Sequence, residues 1–306
     1  MLIFTLRRLG YAVLVTITVS VVTFTLLRLS GDPAAALAGE AATTEDIEYV
    51  RRHYGFDKPL PLQYWDWATR ALQGDFGISV YLKEKPVSDI IIERAPVTMK
   101  LGFFAISFAI LLGIPLGVLA AMRPNTLVDR VALTIAVFGQ AMPSFFFGLT
   151  LIFILAVTYR ILPSSGSTTL AHFIMPSIAL GYYAMPAIMR LTRAGMMEVL
   201  ASDYIRTARA KGLRTYVVLF KHALRNAIIP VVSLSAAQLG FMLGGSVVIE
   251  SIFTINGLGR AALQSIFRSD FEVMQAIVLT ISVFYIGFNL LADLLNAFLD
   301  PRIRVH

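Results

Sequence analysis

Few side chains in this sequence are equipped for chemistry, and most of those that are lie between Asp203 and Pro230, in DYIRTARAKGLRTYVVLFKHALRNAIIP. Arg206, Arg209, Lys211, Arg214, Lys221 and Arg225 make that stretch cationic, fit for an acidic protein face, a phosphate or an anionic lipid. Its first half reads as a short helix, with Asp203 as the cap, Lys211 in the last turn and Gly212 as the left-handed residue that ends it. A second helix comes next, on which Val217, Phe220 and Leu224 fall at i, i+3 and i+7 and give one apolar face. Two helices about a glycine turn, basic outside and apolar on one side, form a knob shaped for a partner's groove. A DNA-reading helix-turn-helix would look similar. Apolar runs begin within a few residues of both ends, however, and leave no room for a duplex, so no nucleic-acid partner is expected. A basic helix resting on anionic membrane lipid is a further reading of the same residues.

Elsewhere the chemistry is sparse. His53, His172, His222 and His306 match no metal-ligand spacing, and with no cysteine in the chain there is neither a disulfide nor a thiolate site. No glycine-rich phosphate loop of the form GxxxxGK followed by Ser or Thr is present. Asp293 stands inside an apolar run one turn from Asn289; helix-end packing is the preferred reading and proton relay the other. Gln140, Ser144 and Gln238 are uncharged polar groups near span interiors or ends. A peptide backbone passing through could hydrogen-bond to them, and packing between helices is the competing role. An ion-coupled transporter would need carboxylates, histidines or broken polar helices at mid-membrane depth. Their near absence means that this chain does not power transport alone, and no cofactor is expected in it.

The elements that position these groups are membrane spans. Of 306 residues, 57% are hydrophobic and 15% charged, too few charges for an ordinary soluble protein of this size. The net charge of +7 fits basic residues collected on one membrane face. Spans are expected at about 9–29, 101–122, 131–159, 172–190, 229–249 and 274–298. The first is longer than a signal-peptide core, and Gly31-Asp32-Pro33 separates it from the cleavage-like Ala36-Leu37-Ala38, so it reads as retained. Gly113 with Gly117, and Gly240 with Gly244, have the small-xxx-small spacing of helix contact faces. Arg7, Arg8, Arg123, Arg130, the basic knob, Arg302 and Arg304 all fall on one side if the spans alternate, which places both termini in the cytoplasm. Glu250, Asp270 and Glu272 read as outer-loop charges balancing Arg260 and Arg268. The chain divides into residues 1–29, an extracytoplasmic segment 30–97, a core 98–298 that contains the loop 191–228, and a cytoplasmic tail 299–306. In the outer segment a capping box at Thr43 and Asp46 starts one amphipathic helix, which aligns Ile47, Val50 and Tyr54. A second, from Pro61 to before Gly74, sets Tyr64, Trp65, Ala68 and Leu72 on one side.

The knob also resembles a known family. Inner-membrane subunits of bacterial ABC importers share a cytoplasmic loop with the pattern Glu-Ala-Ala, three residues, Gly, nine residues and Ile-x-Leu-Pro. Here the matching positions are Arg206, Thr207, Ala208 and Gly212, then His222, Leu224 and Arg225: Ala and Gly are kept, Glu is replaced by Arg, and the final Ile and Pro are lost. RTARAKG followed by HALRNA and IP is similar to the dipeptide, oligopeptide, nickel and glutathione branch. The resemblance continues through GDP at Gly31, GFDKPLPLQY at Gly55, GDFGIS at Gly74, GQAMPSFFFGLTLI at Gly139, MRLTRAGMMEVL at Met189, GGSVVIESIFTINGLGR at Gly244 and the closing NLLADLLNAFLDPRIR. Asn256 and Phe271-Glu272 depart from the Pro and Tyr-Pro of many relatives, on the side where a binding protein would dock.

That resemblance implies an all-α membrane protein with six transmembrane helices and the type I ABC importer permease fold, in the bacterial inner membrane. It implies a second homologous permease, two ATP-binding subunits that carry ATP and magnesium, and an extracytoplasmic binding protein as partners. The cargo it implies is a di- or oligopeptide or glutathione, with a nickel chelate as the nearest alternative. An ATP-independent channel or secondary transporter is the alternative outside the family. Tyr204, Ile205 and Ala208 are the implied contacts into the ATPase cleft, with Lys211 and Gly212 at the turn. Arg206, in place of the family's Glu, needs an acidic or carbonyl partner.

Overall fold

The computed structural model describes residues 2–39, 41–82 and 85–299; Arg302, Arg304, His306 and the end of the closing motif lie outside them. Among the described residues the structure is helical, with no strand beyond an isolated bridge between Ile78 and Pro86. The order is α1 (Leu2–Ser30), α2 (Pro33–Ala38), α3 (Thr44–His53), α4 (Leu60–Leu72), α5 (Val87–Met122), α6 (Leu127–Ala141) and α7 (Ser144–Leu151). After these come α8 (Ala171–Leu200), α9 (Asp203–Ala210), α10 (Thr215–Val217), α11 (Leu224–Ala227), α12 (Ile229–Ile252), α13 (Leu258–Phe267) and α14 (Phe271–Leu299). By length and composition, four stretches are long and apolar enough to cross a membrane: Thr5–Ser30, Val87–Met122, Ile229–Ile252 and Phe271–Ala297.

The centre of the bundle is the pair α5 and α8. They pack closely because glycines remove the side chains between their backbones. A Cβ on Gly113 would meet Ile188 at 2.9 Å, and one on Gly117 would lie 2.6 Å from the Met189 carbonyl oxygen. Around this seam Leu101, Ala105, Met175, Ile188, Met189 and Ile249 are fully buried. The second glycine pair behaves differently. Gly240 packs on Tyr285 of α14, with 3.2 Å to a notional Cβ, but a Cβ on Gly244 would meet nothing within 4 Å outside its own helix, and that residue borders an apolar groove between α1, α12 and α14.

The continuous third span expected at 131–159 is broken in the structure. α6 stops at Ala141, Met142 is extended at φ −91 and ψ 123, and α7 restarts at Ser144 before passing into a π-helical turn, Ile152–Thr158. Pro143 is the cause: it has no N–H to donate and drives the residue before it out of the helical region.

The outer segment is clamped to α1. Ser20 and Tyr64 share a hydroxyl hydrogen bond of 2.7 Å, and Phe24 meets Tyr64 edge-on at 5.5 Å. The buried face of α4 is thus Tyr64 with Trp67, which is 3% exposed; Trp65 at 66% and Leu72 at 88% point outward, contrary to the face expected from spacing. Tyr64 and Trp67 are one helical turn apart, and the α1 aromatic ring selects that pair. The Thr43–Asp46 capping box forms as expected, and its hydrogen bonds hold the Asp46 carboxyl below the usual carboxylate range.

Candidate functional site

The knob is built from α9, α10 and α11, joined by the turn at Lys211-Gly212. Gly212 sits at φ +72 and donates its N–H to the Arg209 carbonyl at 2.9 Å. Nothing lies within 4 Å of a Cβ placed there, so the glycine answers a conformational demand rather than a lack of space. Ser202, extended at ψ 155, occupies the N-cap position and Asp203 is the first helical residue, so Asp203 is not the cap. Its carboxylate instead pairs with Arg206 at 3.2 Å on the solvent side, and Arg206 thereby has an acidic partner in its own helix.

Two of the expected contact residues face the wrong way for a partner. Ile205 is fully buried and Ala208 is 7% exposed; they pack with Met196 of α8, Val118 and Ala121 of α5, and Val218, Leu219 and Ala223 of the second knob helix. Their i, i+3 spacing is the attachment of α9 to its own chain, worth about 2 kcal/mol for the isoleucine alone. Tyr204, Arg206, Arg209 and Lys211 form the outward face. Tyr204, 43% exposed, accepts a 2.8 Å hydrogen bond from Asn226 Nδ2, which ties α9 to α11.

The apolar face of the second helix is also shifted. Val218, Leu219, Ala223 and Ala227 are buried, while Phe220 is 62% exposed and Val217 and Leu224 are half-buried. Residues Val218–Ala223 are π-helical, and a turn closed over five residues instead of four rotates the residues before it relative to those after it. Leu224–Ala227 then runs almost without interruption into α12, so the knob continues directly into a membrane helix.

The bundle around the knob is held by polar groups, most of them buried, whose partners sequence reasoning did not find. At the knob end, Asp129 is 2% exposed and takes a two-pronged grip from Arg193, Nε to Oδ1 at 2.7 Å and Nη2 to Oδ2 at 2.8 Å. The Asn125 N–H adds a third bond at 2.9 Å from a left-handed turn residue at φ +63. Asp293 pairs with Arg8 at 2.9 Å, which makes it a clasp between α1 and α14. At the other end Glu250 is not a loop charge: it lies in α12 with no exposure. Thr98 donates to its Oε1 at 2.7 Å, Ser246 at 3.0 Å, and the Arg260 N–H donates to Oε2 at 2.9 Å. The Leu258 N–H completes the cluster by donating to Thr98 Oγ1 at 2.8 Å. A carboxylate from one helix thus caps the N-terminus of another, α13. Gly257 and Gly259 leave the room for it, since a Cβ on Gly257 would stand 2.5 Å from the carboxyl group. Asp270 accepts from Ser79 at 2.6 Å, and Glu272 faces Arg28 at 3.6 Å while Phe271 covers Gly31. These outer carboxylates are therefore interior clasps, and Phe271-Glu272 grips the end of α1. The signal for Glu250 was its place, four residues after Ser246 and just ahead of Gly-Leu-Gly.

Of the three pathway candidates, Gln140 meets a charged group: Arg190 of α8 donates Nη1 to its Oε1 at 2.9 Å. Ser144 opens α7 and Gln238 is half-buried in α12; neither side chain makes a hydrogen bond among the described residues.

Residues 113–305 match the family model described as the binding-protein-dependent transport system inner membrane component, and residues 1–102 match its N-terminal companion. The chain belongs to that family of inner-membrane transport components. It is 44% identical over 276 residues to the glutathione transport system permease protein GsiC of Pectobacterium atrosepticum, covering 90% of each chain. To the protein of the same name from Escherichia coli it is 41% identical over 305 residues, covering 99% of each. Among solved structures it is similar to the MetNI methionine ABC transporter in an inward-facing form, with TM-score 0.58, 18% identity and coverage of 69% of this chain and 96% of that one. It is also similar to a crystal structure of an amino acid ABC transporter with histidines, with TM-score 0.54, 21% identity and coverage of 69% and 94%. The protein is thus a multi-pass bacterial inner-membrane permease subunit of an ABC importer, with hydrolysis of ATP carried by separate subunits.

Proposed function

We propose that this permease has six spans with both termini in the cytoplasm and imports short peptides, glutathione included. α6 with α7 forms the third span around the Pro143 break, and α8 forms the fourth. Residues 30–97 form the outer segment, and 191–228 the loop that takes the stroke from two ATP-binding subunits, which hold ATP and magnesium. A second homologous permease and an extracytoplasmic binding protein complete the importer. The cargo reading rests on the glutathione named for the relatives, and the topology on the basic residues at the knob end.

One observation carries the coupling role: α9 is fixed to its own chain by Ile205 and Ala208 while Tyr204, Arg206, Arg209 and Lys211 face away from it. A rigid two-helix handle that continues into α12 passes movement of a partner into the membrane, an equilibrium biased by nucleotide bound elsewhere. The test is Gly212→Pro in the complete complex in proteoliposomes. Proline fixes φ near −65° and removes the N–H that the Arg209 carbonyl accepts, so the turn cannot form. Insertion and basal ATP hydrolysis are expected to persist while uptake is lost. Normal uptake would remove the loop from the mechanism, and uptake by the lone subunit on a proton or sodium gradient would overturn the importer assignment.

A further inference from the structure

Arg28, Arg190 and Arg193 all stand on long apolar helices, and two of the three are spent on structure. Arg28 stacks on Phe24 and Phe56, with its guanidinium carbon 5.1 and 4.8 Å from the ring centroids, and faces Glu272. Arg193 is held by both oxygens of Asp129. The third, Arg190, has no carboxylate: its fan of donors meets a neutral amide, Gln140 Oε1. A guanidinium has five N–H donors in a planar fork, and one acceptor leaves most of that fork open.

The place of Arg190 is as unusual as its lack of an acid. α8 is the most enclosed helix of the molecule, and between Phe173 and Thr192 only Ile174, Tyr183 and Arg190 are exposed. Tyr183 and Arg190 are seven residues apart, two turns on one face. Tyr183 in turn stacks on Phe241 of α12 at 6.1 Å and 21°. α6 breaks off just before Pro143, which leaves Gln140 near a helix end with its amide oxygen accepting from Arg190. An ionisable side chain on an apolar helix is costly unless it is paired or used, and among the described residues this one meets no acid.

We propose that Arg190 receives a carboxylate of the cargo on the knob side of the membrane, with Gln140 as the positioning residue that holds the guanidinium in place. This rests on the peptide and glutathione reading above, because every such cargo carries a free carboxylate that matches the open fork. The pathway then has an acid-recognising point of its own, separate from selection by the binding protein. Arg190 lies ten residues before the end of α8, about 15 Å at 1.5 Å per residue, so the contact comes late in the passage, close to the loop that is driven by ATP.

The chain has no cysteine, which makes a single Arg190→Cys change a clean reporter. The complete complex carrying it is labelled in proteoliposomes with a cationic methanethiosulfonate while S-methylglutathione, which has no thiol to interfere, is being transported. Cargo in passage is expected to slow labelling at position 190, and the unaltered complex is expected to take up the acid in preference to its dimethyl ester, a preference that Arg190→Cys loses. Uptake by Arg190→Cys is expected to fall about tenfold, the loss of one charge-assisted contact, and to recover with the cationic reagent but not with an anionic one. Arg190→Lys should retain part of the uptake, and Gln140→Ala should lower uptake by less than Arg190→Cys does, through a raised KM for the cargo. Labelling that slows with anionic lipid content and not with cargo would assign the arginine to a lipid phosphate and overturn the proposal. A cysteine that no reagent reaches in the assembled complex would assign it to the joint with the second permease, with the same consequence. If the unaltered complex imports neither S-methylglutathione nor an alanyl dipeptide, the cargo reading itself fails and this inference falls with it.

Discussion

The two ends of α12 are secured by opposite means. At its Ile252 end Glu250 is buried among Thr98, Ser246 and the first N–H groups of α13, so direction as well as contact is specified. At its Ile229 end the knob is held by Met196, Ile205, Ala208, Val218, Leu219 and Ala223, an apolar cluster, with the exposed Tyr204–Asn226 hydrogen bond beside it. Hydrogen-bonded carboxyl groups resist sliding, because any shift leaves buried polar atoms without partners. Apolar packing tolerates small rotations, provided that no cavity opens. The outer end of α12 is therefore stiff and the attachment of the knob pliant, and the basic groups of α9 are left facing outward.

The largest effect that would break this contrast belongs to Glu250→Ala. It removes the acceptor of Thr98, Ser246 and the Arg260 N–H in a place closed to water, and a loss of at least about 3 kcal/mol is expected. The thermal midpoint of the solubilised complex should fall sharply, and Glu250→Gln, which keeps one oxygen as an acceptor, should fall less. Equal midpoints for both variants and the parent would mean that the outer end is not held by this cluster. At the inner end Ile205→Ala is expected to cost about 3 kcal/mol of local packing, from lost burial plus the cavity left behind. Its signature differs: the knob loosens, so protease cleavage in 203–214 rises and transport falls, while the midpoint of the membrane bundle changes little.

How much of this was legible in the sequence depended on the kind of force involved. The lengths of the apolar runs found the long helices, and residue types at fixed positions found the capping box at Thr43 and the glycine turn at Gly212, because those last two are set by a few neighbouring residues. Periodicity placed the apolar face of the second knob helix one residue off, since the π turn at Val218–Ala223 changes the number of residues per turn and no local residue type announces it. The break before Pro143 could have been read from that proline, and the length of the apolar run masked it. The pairs that fix the bundle were invisible for another reason. Arg193 with Asp129, Thr98 with Glu250 and Ser79 with Asp270 join residues far apart in the chain, and a charged residue at the end of an apolar run looks the same whether it faces water or another helix.

A smaller effect sharpens the outer half of the comparison. Arg28 and Glu272 face each other at 3.6 Å with side chains only 8% and 17% exposed, and the arginine is stacked between two rings as well. In a double-mutant cycle with Arg28→Ala and Glu272→Ala, a coupling of about 1–2 kcal/mol is expected, less than a short two-pronged pair would give. Zero coupling would show that ring stacking alone holds Arg28, so that the clasp between α1 and α14 is not ionic.

The smallest effect tests whether the knob itself contains a directional contact that matters. Tyr204 accepts from Asn226 at 2.8 Å across the knob, on a surface that is nearly half exposed, so water competes for both groups. Tyr204→Phe keeps the ring; the phenol oxygen leaves and Asn226 finds solvent, so no more than about 0.5 kcal/mol is expected. If the knob is an apolar attachment with a free polar face, this variant should keep its protease resistance and its stability, and any loss of transport would come from the phenol's absence on the outward face. A marked loss of stability would mean instead that α9 is pinned to α11 by a hydrogen bond. The inner end would then be directional too, and the difference between the two ends of α12 would be one of degree.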